Sequence, residues 1–152
     1  MFTPIQLNLP PYPAKLTKEN GTVFIFDELR KKRLVLTPEE WVRQHWIHYL
    51  HQQKKYPKSL MKTEGGLKLN TLQKRSDLLI YNSLGEKIIL AEFKAPNVKI
   101  TQAVFEQIAN YNTVHQIPLL LVSNGLEHFY CKISFDSHSY EFLKELPDYD
   151  VS

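Results

Sequence analysis

Residues 75–96, RSDLLIYNSLGEKIILAEFKAP, constrain this chain more than any other stretch. Two short apolar runs are joined by a polar turn containing Gly85, so the stretch reads as a β-hairpin. Strand-like runs normally place their charges in the flanking loops. Here Glu92 and Lys94 continue the second run without a turn. Side chains two apart on a strand share a face, so Glu92 and Lys94 point together and Phe93 points away. Closing the hairpin over residues 82–86 brings Asp77 opposite the neighbourhood of Ala91 and Glu92, where facing Cβ atoms lie ~4.5–5.5 Å apart. Two carboxylates this close repel, and burying them is costly unless a cation or another partner offsets it. A divalent metal resolves the conflict, because Mg²⁺ commonly takes one or two carboxylates and completes its shell with waters and phosphate oxygens. The plainer alternative is a structural ion-pair network in which Asp77 and Glu92 meet Arg75 and Lys94 at a strand end.

Composition narrows the setting. A chain of 152 residues with 43% hydrophobic content can bury one core and is most simply one domain. The net charge of +3 permits an anionic partner without demanding one, so clustering matters more than the sum. Basic residues gather at Arg30, Lys31, Lys32 and Arg33, again at Lys54, Lys55, Lys58 and Lys62, and at Lys74 and Arg75, whereas acidic residues gather near the end of the chain. That polarity suits phosphate contacts by one face, with Arg30 to Arg33, Lys74 and Arg75 as the candidate nucleic-acid contacts. A charged, solvating hairpin tip explains RKKR equally simply. One cysteine, Cys131, excludes an internal disulfide and reads as core. No basic-then-apolar leader is visible, and no window nears the ~18 apolar residues of a membrane span. The expected location is the cytoplasm, without a membrane partner.

The order of elements follows from local signals. Four prolines between Pro4 and Pro13 predict an extended arm over residues 1–21, ahead of a single domain over 22–152. TVFIFD and RLVL predict a hairpin around the basic tip. TPEEWVRQHWIHYLHQ predicts a helix with Thr37 as N-cap, Pro38 at its first position and Glu40 completing a capping box. GLKLNTL, SDLLIY and KIILAEFK predict a three-strand meander. TQAVFEQIANYNTVHQ has apolar residues at helical spacing, and PLLLVSNG with HFYCKIS adds two strands around an Asn-Gly turn. The helices from Pro38 and Gln102 are expected on opposite faces of a mixed central sheet. His45, His48 and His51 fall at i, i+3 and i+6, and this spacing does not favour a four-ligand zinc site.

Asp77 followed fifteen positions later by Glu92-Phe93-Lys94, on adjacent strands between two helices, resembles the PD-(D/E)xK core of restriction-endonuclease-like proteins. Gln107 and Tyr111, at i and i+4 on the next helix, match the QxxxY motif that accompanies this core in RecB-like nucleases and in the N-terminal nuclease domain of type I restriction enzyme R subunits. PEEWVRQHWIHYL, KRSDLLIY, EFKAP, TQAVFEQIANYN and LVSNGLEHFYCKI extend the resemblance to that R-subunit domain across roughly residues 25–148. Ser76 stands where the motif's name has proline, a position that varies widely in the superfamily.

The resemblance implies an α/β, restriction-endonuclease-like core: a mixed central sheet flanked by helices, with an N-terminal arm and β-hairpin. It implies a nuclease that hydrolyses DNA phosphodiester bonds with Mg²⁺ or Mn²⁺, with other restriction-modification subunits as further partners. Asp77 and Glu92 are then metal ligands and Lys94 a transition-state contact, while Gln107 and Tyr111 serve the substrate backbone or Lys94. Glu40 is a further candidate ligand, because related folds often carry an acidic residue one turn into this helix; its capping box accounts for it as well. No GxxxxGK[ST] phosphate loop occurs in these 152 residues, so no motor activity is expected of them. Two other readings stay open. One is a catalytically silent nucleic-acid-binding or restriction-complex module, and the other is an interaction protein that uses its proline-rich arm.

Overall fold

The computed structural model describes residues 2–63 and 77–150. In chain order the elements are β1 (Leu16–Glu19), β2 (Thr22–Asp27), β3 (Lys32–Val35), α1 (Pro38–Gln52), a 3-10 turn (Lys58–Leu60) and β4 (Met61–Lys62). There follow β5 (Leu78–Tyr81), β6 (Lys87–Phe93), α2 (Gln102–His115), β7 (Leu119–Ser123), β8 (His128–Ser134) and β9 (Ser139–Leu143).

β4 to β9 form one six-stranded sheet in sequence order. All of its pairings are antiparallel except β6 with β7, which run parallel because α2 carries the chain back across the sheet. β5, β6 and β7 are nearly continuous apolar runs because both sheet faces are covered. On one face Val42, Trp46, Ile47 and Leu50 of α1 pack against Leu78, Ile80, Ile89, Ala91 and Phe93. On the other, Phe105 and Ile108 of α2 pack against Leu79, Leu90, Leu120, Val122 and Cys131. Each fully buried Leu, Ile or Val contributes about 1.5–3 kcal/mol relative to exposure, so this layered core dominates the favourable side of folding. The mixed sheet with one helix on each face is the architecture expected from the sequence. The bulge between Ile80 and Tyr81, with the Asn82 side chain accepting from the amides of Leu84 and Glu86, shapes the β5–β6 turn.

Besides β4, which the local signals did not suggest, three features differ from the local reading. The expected arm ends in a strand: Leu16–Glu19 pairs along β2, and the hairpin becomes a three-stranded sheet ordered β1-β2-β3. Only a partner strand could reveal this, since β1 is exposed along its whole length and carries no alternation. The capping box at α1 is half formed. The Thr37 hydroxyl accepts from the Glu40 amide at 3.1 Å, but the Glu40 carboxylate turns away toward Arg43 and Gln44. β9 forms within the acidic end of the chain, as an exposed edge strand whose Phe142 lies 5.0 Å, ring to ring, from Phe105. The strand expected from GLKLNTL lies outside the described residues.

The chain ends clamp α1. Asn8 donates its amide to the Gly125 carbonyl at 2.8 Å and accepts from His128 Nε2 at 2.8 Å, while Leu7 is buried beside Gly125. At the other end Tyr56 donates to the Pro147 carbonyl at 2.7 Å, and buried Lys54 meets Asp148 at 3.5 Å. Histidines of α1 are taken up in this packing: His45 contacts the Trp41 carbonyl, and Tyr12 stacks on His48 at 4.9 Å.

Candidate active site

The register of β5 and β6 brings the sequence-predicted acidic residues together. Leu78 pairs with Ala91, so Asp77, one residue earlier, stands at Glu92. Leu79 and Leu90 face α2, and by strand alternation Asp77 and Glu92 open on that same face. Glu92 is buried, and the Asp77 residue keeps some exposure at the sheet's end. The Asp77 Oδ2 accepts from the Phe93 amide at 2.7 Å, and the Asp77 carboxyl is also hydrogen-bonded to the Glu92 side chain. Burial pushes the Asp77 carboxyl above the ordinary Asp value. The Phe93 amide, Arg43, the Glu92 hydrogen bond and Lys94 all pull the other way. Lys94 follows β6 directly and donates its amide to the Ser123 carbonyl at 2.9 Å, which continues the β6–β7 pairing past the strand end. Two carboxyls thus meet where β6 leaves the sheet, with Arg43 on the Asp77 carbonyl and Lys94 two residues past Glu92.

Glu40 does not join the acidic pair. Arg43 Nε donates to Glu40 Oε2 at 2.9 Å, Arg43 Nη2 donates to Oε1, and Gln44 Nε2 donates to Oε2 at 2.9 Å. Arg43 Nη1 meanwhile reaches the main-chain carbonyl of Asp77 at 3.3 Å. The same Gln44 amide donates to Oδ1 of fully buried Asp27 at 3.2 Å, and Arg30 Nε donates to Asp27 Oδ2 at 2.6 Å. Burial raises the Asp27 carboxyl, but Arg30, the Leu29 amide and Gln44 outweigh it and hold Asp27 below the ordinary Asp value. Asp27, Arg43 and Gln44 were not legible as site residues. The i, i+3 spacing of Glu40 and Arg43 was visible, but it marks solvated helix pairs equally well. Among the described residues no group of three or more His, Cys, Asp and Glu converges as a metal cluster.

The other candidates fall in two places. Gln107 Nε2 donates to the Tyr111 hydroxyl at 2.9 Å, on the helix that covers the Glu92 face of the sheet. The RKKR residues lie at the tip and start of the β2–β3 sheet, and most of them are ion-paired. Arg30 holds Asp27, Lys31 lies 3.7 Å from Glu28, and Arg33 meets Glu19 at 2.9 Å while lying over the Phe24 ring at 4.6 Å. Lys32 is exposed. Lys74 and Arg75 lie outside the described residues.

The fold is a mixed α/β layer, one sheet with a helix on each face and an acidic pair at the end of its central hairpin. The family model for the type I restriction enzyme R protein N terminus (HSDR_N) matches residues 38–147, and the chain belongs to that family. The match begins at Pro38, the first residue of α1, so the arm and the β1–β3 sheet precede it. Among solved structures, a fragment of an HsdR subunit assigned to a type I restriction enzyme of Vibrio vulnificus YJ016 is 20% identical, with a TM-score of 0.40. That similarity covers 58% of this chain and 16% of the other, so this chain spans a small part of that subunit fragment. Comparison with curated proteins finds no match.

Proposed function

We propose that this chain is a metal-dependent nuclease module of the PD-(D/E)xK type, acting on DNA phosphodiester bonds in the cytoplasm as part of restriction-modification chemistry. The observation that carries this reading is the meeting of Asp77 and Glu92 across β5 and β6, with Lys94 two residues beyond Glu92. Membership in the R-protein N-terminal family supports it.

The donor set fits Mg²⁺ or Mn²⁺. Asp77 and Glu92 offer hard carboxylate oxygens, and a cation relieves the cost of keeping two anions in a largely buried place. When bound, such an ion polarises the scissile phosphate and makes metal-bound water a stronger nucleophile. The chain's own residues do the rest. Asp77 and Glu92 would hold the ion, and the Phe93 amide fixes the Asp77 carboxylate on its strand. Lys94 stands beside them as a compact cation that offsets charge developing on the phosphate in the transition state. Gln107 and Tyr111 would contact the substrate backbone from α2, their mutual hydrogen bond limiting the number of rotamers to be ordered.

The internal ion pairs of Arg30, Lys31 and Arg33 favour a second reading, in which the module binds a partner subunit and does not cleave. Plasmid nicking with Mg²⁺, Mn²⁺ and EDTA separates the two. Cation-dependent nicking that disappears in Glu92→Gln supports the nuclease, and intact plasmid under all three conditions overturns it.

A further inference from the structure

The acidic pair stands at the end of the β5–β6 ladder. Asp77 precedes Leu78, the first residue of the β5 ladder, so strand pairing does not hold its backbone. The Asp77 carboxylate must stay on the Phe93 amide to remain beside Glu92. Among the described residues, a side chain that reaches the Asp77 main chain is Arg43 of α1, an element packed on the opposite face of the sheet from Glu92.

We propose that Arg43 is a positioning residue for the acidic pair: its guanidinium anchors the Asp77 carbonyl and thereby keeps the Asp77 carboxylate on the Phe93 amide beside Glu92. The inference rests on the nuclease reading for its consequence, but not for its geometry. Arg43 suits the task because its fork is planar and donates in several directions at once. Two arms are spent on Glu40, which fixes the plane, and the third points at Asp77. Glu40 is itself fixed by Gln44, and Gln44 by Asp27, whose other oxygen is held by Arg30. The side chains of Arg43 and Glu40 are each only 8% exposed, so water competes weakly for these bonds. Glu40 then acts through Arg43, and Asp27 of β2 and Arg30 of the β2–β3 turn become remote supports of the site.

The test uses the full chain carrying Arg43→Met, and the pair Glu40→Gln with Arg43→Met, which removes both charges so that neither is stranded in the interior. Two readouts are taken. The first is amide hydrogen exchange at Phe93, which needs neither metal nor DNA. The expected result is loss of protection at Phe93 with protection retained at Leu90 and Ala91 in the same strand. The second is Mn²⁺ titration with nicking kinetics. Removing such supporting contacts typically costs about 10–100-fold in metal affinity or activity, and the loss should fall on Mn²⁺ affinity and kcat while KM for plasmid stays unchanged. Unaltered Phe93 exchange in the double variant overturns the proposal. If the wild-type protein neither binds Mn²⁺ nor nicks DNA, the nuclease reading fails, while Phe93 exchange still decides whether Arg43 positions Asp77.

Discussion

The Asp77 carboxylate accepts the Phe93 amide at 2.7 Å, so the residue before β5 is tied to the last residue of β6 by a side chain. This one bond gives Asp77 two separable duties: an acceptor for the main chain and a charged neighbour for Glu92.

Asp77→Ala and Asp77→Asn should therefore behave differently. Alanine orphans the Phe93 amide, a loss of about 1–3 kcal/mol, and lowers the melting temperature. Asparagine keeps an oxygen acceptor and should melt near the wild type. Both should lose Mg²⁺-induced stabilisation, measured as the shift in melting temperature with added Mg²⁺. An Asn variant that still gains stability from Mg²⁺ would remove Asp77 from the metal site.

Lys94→Ala should leave Mn²⁺ affinity intact, because both carboxylates remain, and should lower kcat for nicking by orders of magnitude as a transition-state contact disappears. Its melting temperature should barely change, since the strand-continuing bond to Ser123 is made by the main chain. Isothermal titration beside single-turnover nicking checks both halves.

Acid stability should depend on Asp27. Its folded pKa lies below the ordinary value, so its contribution is fully present above the unfolded Asp pKa of ~3.9 and is lost as pH falls through the folded value. Over that window the unfolded chain binds more protons than the folded one, so stability drops as the pH is lowered. Asp27→Asn should flatten the dependence of melting temperature on pH between about pH 4.5 and 2, the range below and around that unfolded value. An unchanged acid limb would show that the Arg30 and Gln44 contacts do not hold the charged form.

Salt dependence of DNA binding should separate the members of RKKR. Each phosphate contact contributes a log-log slope of ~0.9, so Lys32→Gln should flatten the slope by about one contact. Arg30→Gln should instead lower the melting temperature, because it leaves buried Asp27 without its charged partner. A slope that ignores Lys32 and follows Arg30 would reverse this assignment.

Gly125→Ala should loosen the N-terminal arm. Gly125 has φ +87°, and an added Cβ would lie 2.8 Å from one Leu7 methyl and 3.1 Å from Val42. Overpacking of this kind costs about 1–3 kcal/mol. Limited proteolysis should cut the arm ahead of Leu16 faster than in the wild type.

Local chemistry in the sequence determined most of the central layer. Thr37 and Pro38 announced α1, the spacing of Phe105 and Ile108 announced α2, and the turn at Gly85 placed Asp77 against Glu92. These signals act within a few residues, through capping bonds, helical or strand period and turn geometry, so they survive in a linear reading. What lies between segments distant in sequence was decided only by tertiary structure. Leu16–Glu19 became a strand because β2 offered it an edge, and β9 formed against β8 with Tyr140 and Phe142, two apart on the strand, both reaching Phe105 of the distant α2. Glu40 left its capping box because packing α1 against the sheet excluded water and placed Arg43 between it and the Asp77 carbonyl. Arg30, Lys31 and Arg33 met carboxylates of this same chain, pairings that the run RKKR does not announce. A charge written in sequence is a donor or acceptor awaiting a partner, and only the three-dimensional neighbourhood decides whether that partner is solvent, substrate or another side chain of the same chain.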